Sequence, residues 1–174
     1  MKIVKNSIYV IIWFLIIYFL QSSFFNNFTI AGVKPNLFII FVIFVGLNAN
    51  KYYAMSIGIA VGLLIDFIAG SNIGQNAIIY GLLGYIIALI QGHIAKEGKI
   101  ANMLIIFIAT FCVETLTYTA QIFFTNTIFE MKTFAKIVSI EALYNSIILM
   151  IIYPLWKRLS KSEDDDIPRA TRYL

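Results

Sequence analysis

Three acidic side chains stand inside long apolar stretches of this 174-residue chain, and they are the residues whose types could support chemistry. They are Asp66, Glu114 and Glu141. An ionisable group in such a stretch is costly in a bilayer and needs a partner or a wet cavity, so it marks either an ion pathway or a buried polar contact. These carboxyl groups are therefore the first candidates for function.

No enzyme centre can be assembled around them. A metal site needs several converging His, Cys or carboxylate ligands, and the chain has one histidine, His93, and one cysteine, Cys112. An intramembrane serine protease needs a serine and a histidine in the bilayer, and an aspartyl protease needs two aspartates there, whereas Asp66 is the one aspartate in an apolar stretch. We expect no catalytic residues, no metal and no cofactor. Cys112 is interpreted as a packing residue, and His93 as part of a loop.

The composition is that of an integral membrane protein. Hydrophobic residues make up 60% of the chain and charged residues 13%, against roughly 45–50% and about 25% in soluble domains. A spanning helix takes about 20 residues, so the apolar segments use nearly the whole chain. The net charge of +4 does not indicate nucleic acid, because the basic residues fall at helix ends. The expected environment is the lipid bilayer.

The apolar pattern predicts an all-α protein with six transmembrane helices. They cover about residues 7–25, 37–48, 54–70, 75–91, 100–124 and 137–156. We interpret the first as an uncleaved helix with bulky, lipid-facing side chains, and the short second span begins near either Phe28 or Leu37. Residues 1–156 form the transmembrane domain, and residues 157–174 form a polar, disordered cytoplasmic tail.

The basic residues predict the orientation. With six spans, ten of the thirteen lysines and arginines fall on one side, which the positive-inside rule places in the cytoplasm with both termini. The ten are Lys2, Lys5, Lys51, Lys96, Lys99, Lys157, Arg158, Lys161, Arg169 and Arg172. The other three are Lys34, Lys132 and Lys136.

The third predicted helix carries a stripe of small residues and one carboxylate at every fourth position, which places them on one face. The stripe consists of Ala54, Gly58, Gly62, Asp66 and Gly70. Small residues let helices approach closely in a bilayer, and the fourth helix has its own in Gly81 and Gly84. We expect these two helices to pack together. The glycines either pack this chain's own helices or form a groove for a partner's transmembrane helix.

Asp66 has several candidate roles. It can fix the register of packed helices or cap a helix, contact a partner, or take part in ion transport. Alternatively, it lies near the helix end and its carboxylate reaches water at the interface. Before the second span, Pro35 suits the first helical turn and Asn36 can accept a hydrogen bond from an open amide.

Polar residues of the last two spans form a second candidate group. Glu114, Tyr118 and Gln121 share one face by their spacing, and Glu141 and Asn145 lie four apart near the start of the sixth span. They either line an inner cavity as a buried polar network, or lie near the membrane edge and bond nearby hydroxyls and amides.

Three segments in this order carry a family resemblance: VKPNLFIIFVIFVGL, GIAVGLLIDFIAGSNIGQNAIIYGLLGYIIA and YNSIILMIIYP. Together they resemble the bacterial rod shape-determining MreD family. The residues that match its motifs are Pro35 and Asn36 before the second span, the run Gly62, Asp66, Gly70 and Gly74, and Asn145 and Pro154 in the last span. The acidic run at 163–166 matches nothing in the family pattern.

The resemblance implies a six-helix fold similar to the substrate-binding components of ECF-type vitamin transporters. It also implies a non-enzymatic partner of MreC that helps couple MreB filaments to RodA and a class B penicillin-binding transpeptidase. Two rival functions stay open: a vitamin-capturing transporter subunit, and a flippase or lipid-binding protein. Transporter subunits of that kind dock through small residues in their first helix, and the bulky first helix here speaks against that function.

Overall fold

Six helices form the fold in the computed structural model, which describes residues 7–25, 27–70, 73–94, 99–125 and 130–164. They are α1 (Ser7–Phe19), α2 (Leu37–Asn48), α3 (Lys51–Ala69), α4 (Gln75–Ile94), α5 (Lys99–Thr125) and α6 (Met131–Asp164). The predicted all-helical class is confirmed.

Three of these helices are long and apolar enough to cross a membrane, judged over the described residues. Their spanning stretches are Lys51–Ile68, Met103–Phe124 and Met131–Ile152. The other three carry shorter apolar stretches, Val10–Phe24, Leu37–Asn48 and Gln75–Gln91. The 12 residues of α2 rise only about 18 Å, which is less than the roughly 30 Å hydrocarbon core. Its ends must therefore be shielded by protein.

The shielding comes from the position of α2, which contacts all five other helices. Its sequence, LFIIFVIFVGLN, is apolar on every side, a pattern typical of a helix surrounded by protein. Ile39, Val42 and Val45 are fully buried there. The centre of the bundle is thus a short helix whose N-terminal end is bonded inside the protein, whereas residues 48–50 at its other end run from half-buried to exposed.

The start of α2 settles where the second span begins. Ala31 and Gly32 have positive φ angles of 52° and 82°, and Ile30 and Val33 exchange two backbone hydrogen bonds of 2.9 Å. This tight turn precludes a helix from Phe28, so α2 begins at Leu37.

Asn36 caps α2, as expected, because its Oδ1 accepts a hydrogen bond from the Ile39 amide at 3.4 Å. Pro35 therefore lies one residue before the cap. Its predicted place in the first helical turn was wrong, since the asparagine side chain takes the capping position that follows the proline.

Several helix ends differ from the predictions. A π-helical turn, Leu20–Phe24, follows α1. α4 continues to Ile94, so His93 belongs to a helix, not a loop. α6 continues to Asp164, which makes the first eight residues of the predicted tail helical, because extending a helix through Lys and Arg needs no new nucleus. Residues 165–174 lie outside the described part.

The outer surface agrees with a lipid environment. On α1, Ile11, Leu15 and Phe19 are exposed, as the bulky first helix predicts. Cys112 on α5 is also exposed. Its interpretation as a packing residue was wrong, because it falls on the outward face of α5 beside exposed Phe111.

Candidate functional site

The start of α2 is surrounded by polar side chains from the other helices, which we call the polar cluster: Asn36, Tyr80, Thr110, Glu114, Glu141 and Asn145. Asn36 lies at its centre. Its backbone amide donates to Asn145 Oδ1 at 2.9 Å, and its Nδ2 donates to Tyr80 Oη at 3.0 Å and reaches Glu114 Oε1 at 3.5 Å. One capping residue therefore connects α2 to α4, α5 and α6.

Asn145 extends the cluster between the last two helices. It is fully buried, and its Nδ2 donates to the Thr110 hydroxyl at 3.1 Å. The Asn145 oxygen thus bonds the start of α2, and its nitrogen bonds α5. A buried polar group is stable only when its hydrogen bonds are made, so Asn145 fixes the position of α6 relative to both helices.

Gln21 completes the capping of α2 from the π-helical turn after α1. Its Nε2 donates to the Pro35 carbonyl at 2.8 Å, and its Oε1 accepts from the Leu37 amide at 3.0 Å. Non-helical backbone inside a membrane protein needs such partners, because no water is present to supply them. The sequence pattern gave no sign of this role, although π-helical turns often accompany functional sites.

The cluster contains a pair of acids. Glu141 is only 7% exposed, and its carboxyl group faces both Glu114 and Asn36. Its Oε1 has no hydrogen-bond partner. In the part of the chain that the structure describes, no basic side chain acts on either carboxyl group. The start of α2 contributes positive partial charge, about half an elementary charge at a helix N-terminus.

The polar residues predicted on α5 divide between the inside and the outside of the bundle. Glu114 joins the cluster, Tyr118 is half-buried with its ring centroid 5.0 Å from that of Phe134, and Gln121 is exposed. The buried network expected from the sequence therefore includes Glu114 and Glu141, whereas Gln121 lies where α5 is exposed. Over the described ranges, no group of three or more His, Cys, Asp or Glu residues could hold a metal ion.

Asp66 lies at a second polar site, where α3 turns into α4. It is 1% exposed. Its Oδ2 accepts from the Gly74 amide at 2.8 Å, and its Oδ1 accepts from Asn76 Nδ2 at 2.8 Å and from the Asn76 amide at 3.3 Å. The carboxylate caps the start of α4 by satisfying open amides. The alternative in which Asp66 reaches water at the interface was wrong, because these donors hold it inside the bundle.

Two further motif residues form the same turn. Gly70 and Gly74 have φ angles of 61° and 98°, which side chains other than glycine rarely adopt. They let the chain reverse and present the Gly74 amide to Asp66.

The small-residue stripe of α3 lies against α4. A Cβ atom added at Gly58 would collide with the Tyr80 backbone carbonyl, and one added at Gly62 with that of Asn76. Backbone would have to move in both cases. These two glycines therefore set the closest approach of α3 and α4.

The contact is reciprocal from α4. A Cβ atom at Gly84 would lie 2.5 Å from the Ala54 carbonyl oxygen, and one at Gly81 would lie 2.7 Å from Ile59 Cγ1. The two predicted small faces meet each other. The stripe contacts are made within the chain, and α4 covers the surface on which a partner helix would otherwise lie.

Comparison with protein families gives a match over nearly the whole chain. Neither the curated proteins nor the solved structures contain a match to this chain. A family model described as rod shape-determining protein MreD matches residues 1–162, which is nearly the whole sequence. The apolar helices agree with a family of membrane proteins. The chain is therefore a member of the MreD family of rod shape-determining proteins.

Proposed function

We propose that this protein is a non-enzymatic membrane scaffold of the cell-elongation machinery that binds MreC. In this role it helps couple MreB filaments to peptidoglycan synthesis by RodA and a class B penicillin-binding transpeptidase. The family match over residues 1–162 carries the proposal, because it assigns the chain a role in determining rod shape.

The geometry supports a structural role for the predicted site residues. Asp66 and Asn145 use their polar atoms on helices of this chain, and Gly58 and Gly62 contact α4. These residues build a defined bundle, and a partner helix docks on an outer surface. One such surface is the exposed apolar face of α4, which includes Ile78, Leu82, Ile86 and Leu89.

The topology that we propose has six spans with both termini in the cytoplasm, and a transmembrane domain over residues 1–156. Its support is the uneven distribution of basic residues. In a Cys112→Ser background, Asn50→Cys should react with a membrane-impermeant thiol reagent only after the cells are opened. Lys132→Cys should react in intact cells, and the reverse pattern would contradict this orientation.

The alternative is that this protein is a substrate-binding subunit of an ECF-type vitamin transporter and shares the fold of those subunits. That likeness depends on the family resemblance, since no solved structure matches. The exposed bulky side chains of α1 argue against it, because no small-residue face is available there for docking an energising module. Retention of a vitamin-sized ligand through purification would favour the alternative.

Co-purification tests the scaffold proposal. The full chain is expressed with the MreC of the same host, extracted in mild detergent and purified through a tag on the chain. We expect the two proteins in a fixed ratio, and we expect the α4 surface variant Leu82→Trp, which keeps the face apolar but changes its shape, to lose MreC while its own membrane level stays normal. A folded chain at normal level that brings down no MreC would contradict the proposal.

A further inference from the structure

The unpartnered carboxyl oxygen in the polar cluster is the feature that the scaffold role leaves unused. Glu141 Oε1 is buried without a hydrogen-bond partner, whereas the amides and hydroxyl around it are bonded to one another. A buried acceptor that makes no hydrogen bond is costly and uncommon in native proteins. It therefore points to a group that the chain itself does not supply.

The charge of the site indicates the sign of that group. Two carboxyl groups in contact repel at low dielectric unless a proton or a cation lies between them. The carboxyl groups of Glu114 and Glu141 are hydrogen-bonded to each other, so one shared proton leaves one net negative charge on the pair. The α2 N-terminus offers only about half a positive charge against it. In the described chain no lysine or arginine acts on Glu114 or Glu141 to make up the difference.

Glu114 gives the pair an edge that is only half-buried. Along α5, the exposure of polar side chains increases from half-buried Glu114 and Tyr118 to exposed Gln121. The three residues lie on one face at spacings of four and three. Glu114 is therefore the side of the pair that a small polar group would approach, from the end of the bundle at which α5 finishes.

We propose that Glu114 and Glu141 form a binding site for a primary ammonium group. Its N–H groups donate to Glu141 Oε1 and to the carboxylate of Glu114, and any proton that the two carboxyl groups share leaves to water. An ammonium group has three donors and no acceptor, which suits a site of acceptors. A divalent metal suits it less, because Ca²⁺ needs six to eight oxygen ligands and no third acidic side chain joins the pair among the described residues.

The ammonium group can come from a free amine or from the headgroup of phosphatidylethanolamine. The test uses the purified full chain in phosphatidylcholine nanodiscs, which contain no primary amine, and follows thermal unfolding by tryptophan fluorescence. Ethylammonium chloride is the probe, and tetramethylammonium chloride at equal ionic strength is its control because it has no N–H donor. A second preparation in phosphatidylethanolamine nanodiscs distinguishes the lipid as the source.

Binding to the folded state stabilises it by mass action, so ethylammonium at about ten times its Kd should raise the unfolding midpoint by roughly 3–6 °C. Tetramethylammonium should not, and Glu141→Gln should abolish the rise because an amide does not carry the charge. If the lipid is the source, the wild-type midpoint is already raised in phosphatidylethanolamine and added ethylammonium changes it little.

Equal responses of the wild type and Glu141→Gln, or a wild-type midpoint that neither amine nor lipid moves, would overturn the site. Glu114→Gln provides the same comparison if Glu141→Gln does not fold. The site goes beyond the scaffold function, and its failure would leave MreC binding untouched.

Discussion

The backbone amide of Asn36 donates to the side chain of Asn145 at 2.9 Å, across 109 residues of sequence. The Asn145 side chain in turn donates to the Thr110 hydroxyl on α5 at 3.1 Å. A short central helix is in this way fixed at its capping residue to the two longest helices of the bundle. Since these bonds lie away from water, their loss should affect stability more than similar bonds on the surface.

Removing Asn145 should destabilise the bundle. Asn145→Ala leaves the Asn36 amide and the Thr110 hydroxyl without a partner, and we expect a loss of about 1–3 kcal/mol in the free energy of unfolding. A double-mutant cycle with Thr110→Ala should give a coupling of at least about 0.5 kcal/mol. Reversible unfolding in mixed micelles measures both values.

Ser146→Ala is the matched control, because Ser146 is buried beside Asn145 and its hydroxyl donates within its own helix, to the Ala142 carbonyl. It should change stability by less than about 0.5 kcal/mol. Equal losses for the two alanine variants would show that the bond between helices contributes nothing.

Gln21 should protect the first backbone amide of α2, that of Leu37, from hydrogen exchange. Gln21→Met keeps the length of the side chain but removes both hydrogen bonds, so the Leu37 amide should exchange with deuterium at least about tenfold faster, which corresponds to about 1.4 kcal/mol. Ser22→Ala, whose exposed hydroxyl bonds the Phe19 carbonyl within the same turn, is the control. Unchanged protection of Leu37 in Gln21→Met would contradict the clamping role.

Replacement of Asp66 should loosen the turn between α3 and α4. Asp66→Leu leaves the Gly74 and Asn76 donors unpaired and should cost at least about 1–3 kcal/mol. Asp66→Asn should cost less, because it keeps one acceptor oxygen. On the same helix, Ser56→Ala removes an exposed local bond to Tyr52 and should be nearly neutral. Full stability of the leucine variant would exclude a polar role for Asp66.

Gly62 in the small-residue stripe should tolerate no side chain, however small. Gly62→Ala places a Cβ against the Asn76 backbone, which forces the helices apart and should cost about 1–3 kcal/mol or more. Ala60→Leu adds far more volume on the exposed side of α3 and should be neutral within about 0.5 kcal/mol. Membrane abundance and the unfolding midpoint of both variants check this. The reverse order would mean that the stripe does not set the helix contact.

The sequence pattern was informative wherever the cause is local. Helical periodicity and small residues at every fourth position predict the contact of α3 with α4, and the short polar side chain of Asn36 predicts a cap. Asp66 was identified as a candidate because a carboxylate among apolar residues is conspicuous. Its donors follow eight and ten residues later, within reach of a local turn.

Contacts between distant segments could not be predicted in this way. Tyr80 and Thr110 look like ordinary members of apolar helices, and only the packing of α4 and α5 around α2 brings them to Asn36 and Asn145. The capping role of Gln21 depends on a π-helical turn, which no periodicity in α1 indicates. The unpartnered oxygen of Glu141 likewise exists only in the folded bundle.

We propose that this bundle acts in rod-shape determination through its defined helix packing. The most direct test is cell shape in a rod-shaped host depleted of its own MreD-family protein, with membrane abundance measured in the same cells. We predict that the wild-type chain and Ala60→Leu restore rods, and that Gly62→Leu does not. Rounded cells that carry the wild-type chain together with its MreC at normal abundance would contradict the account.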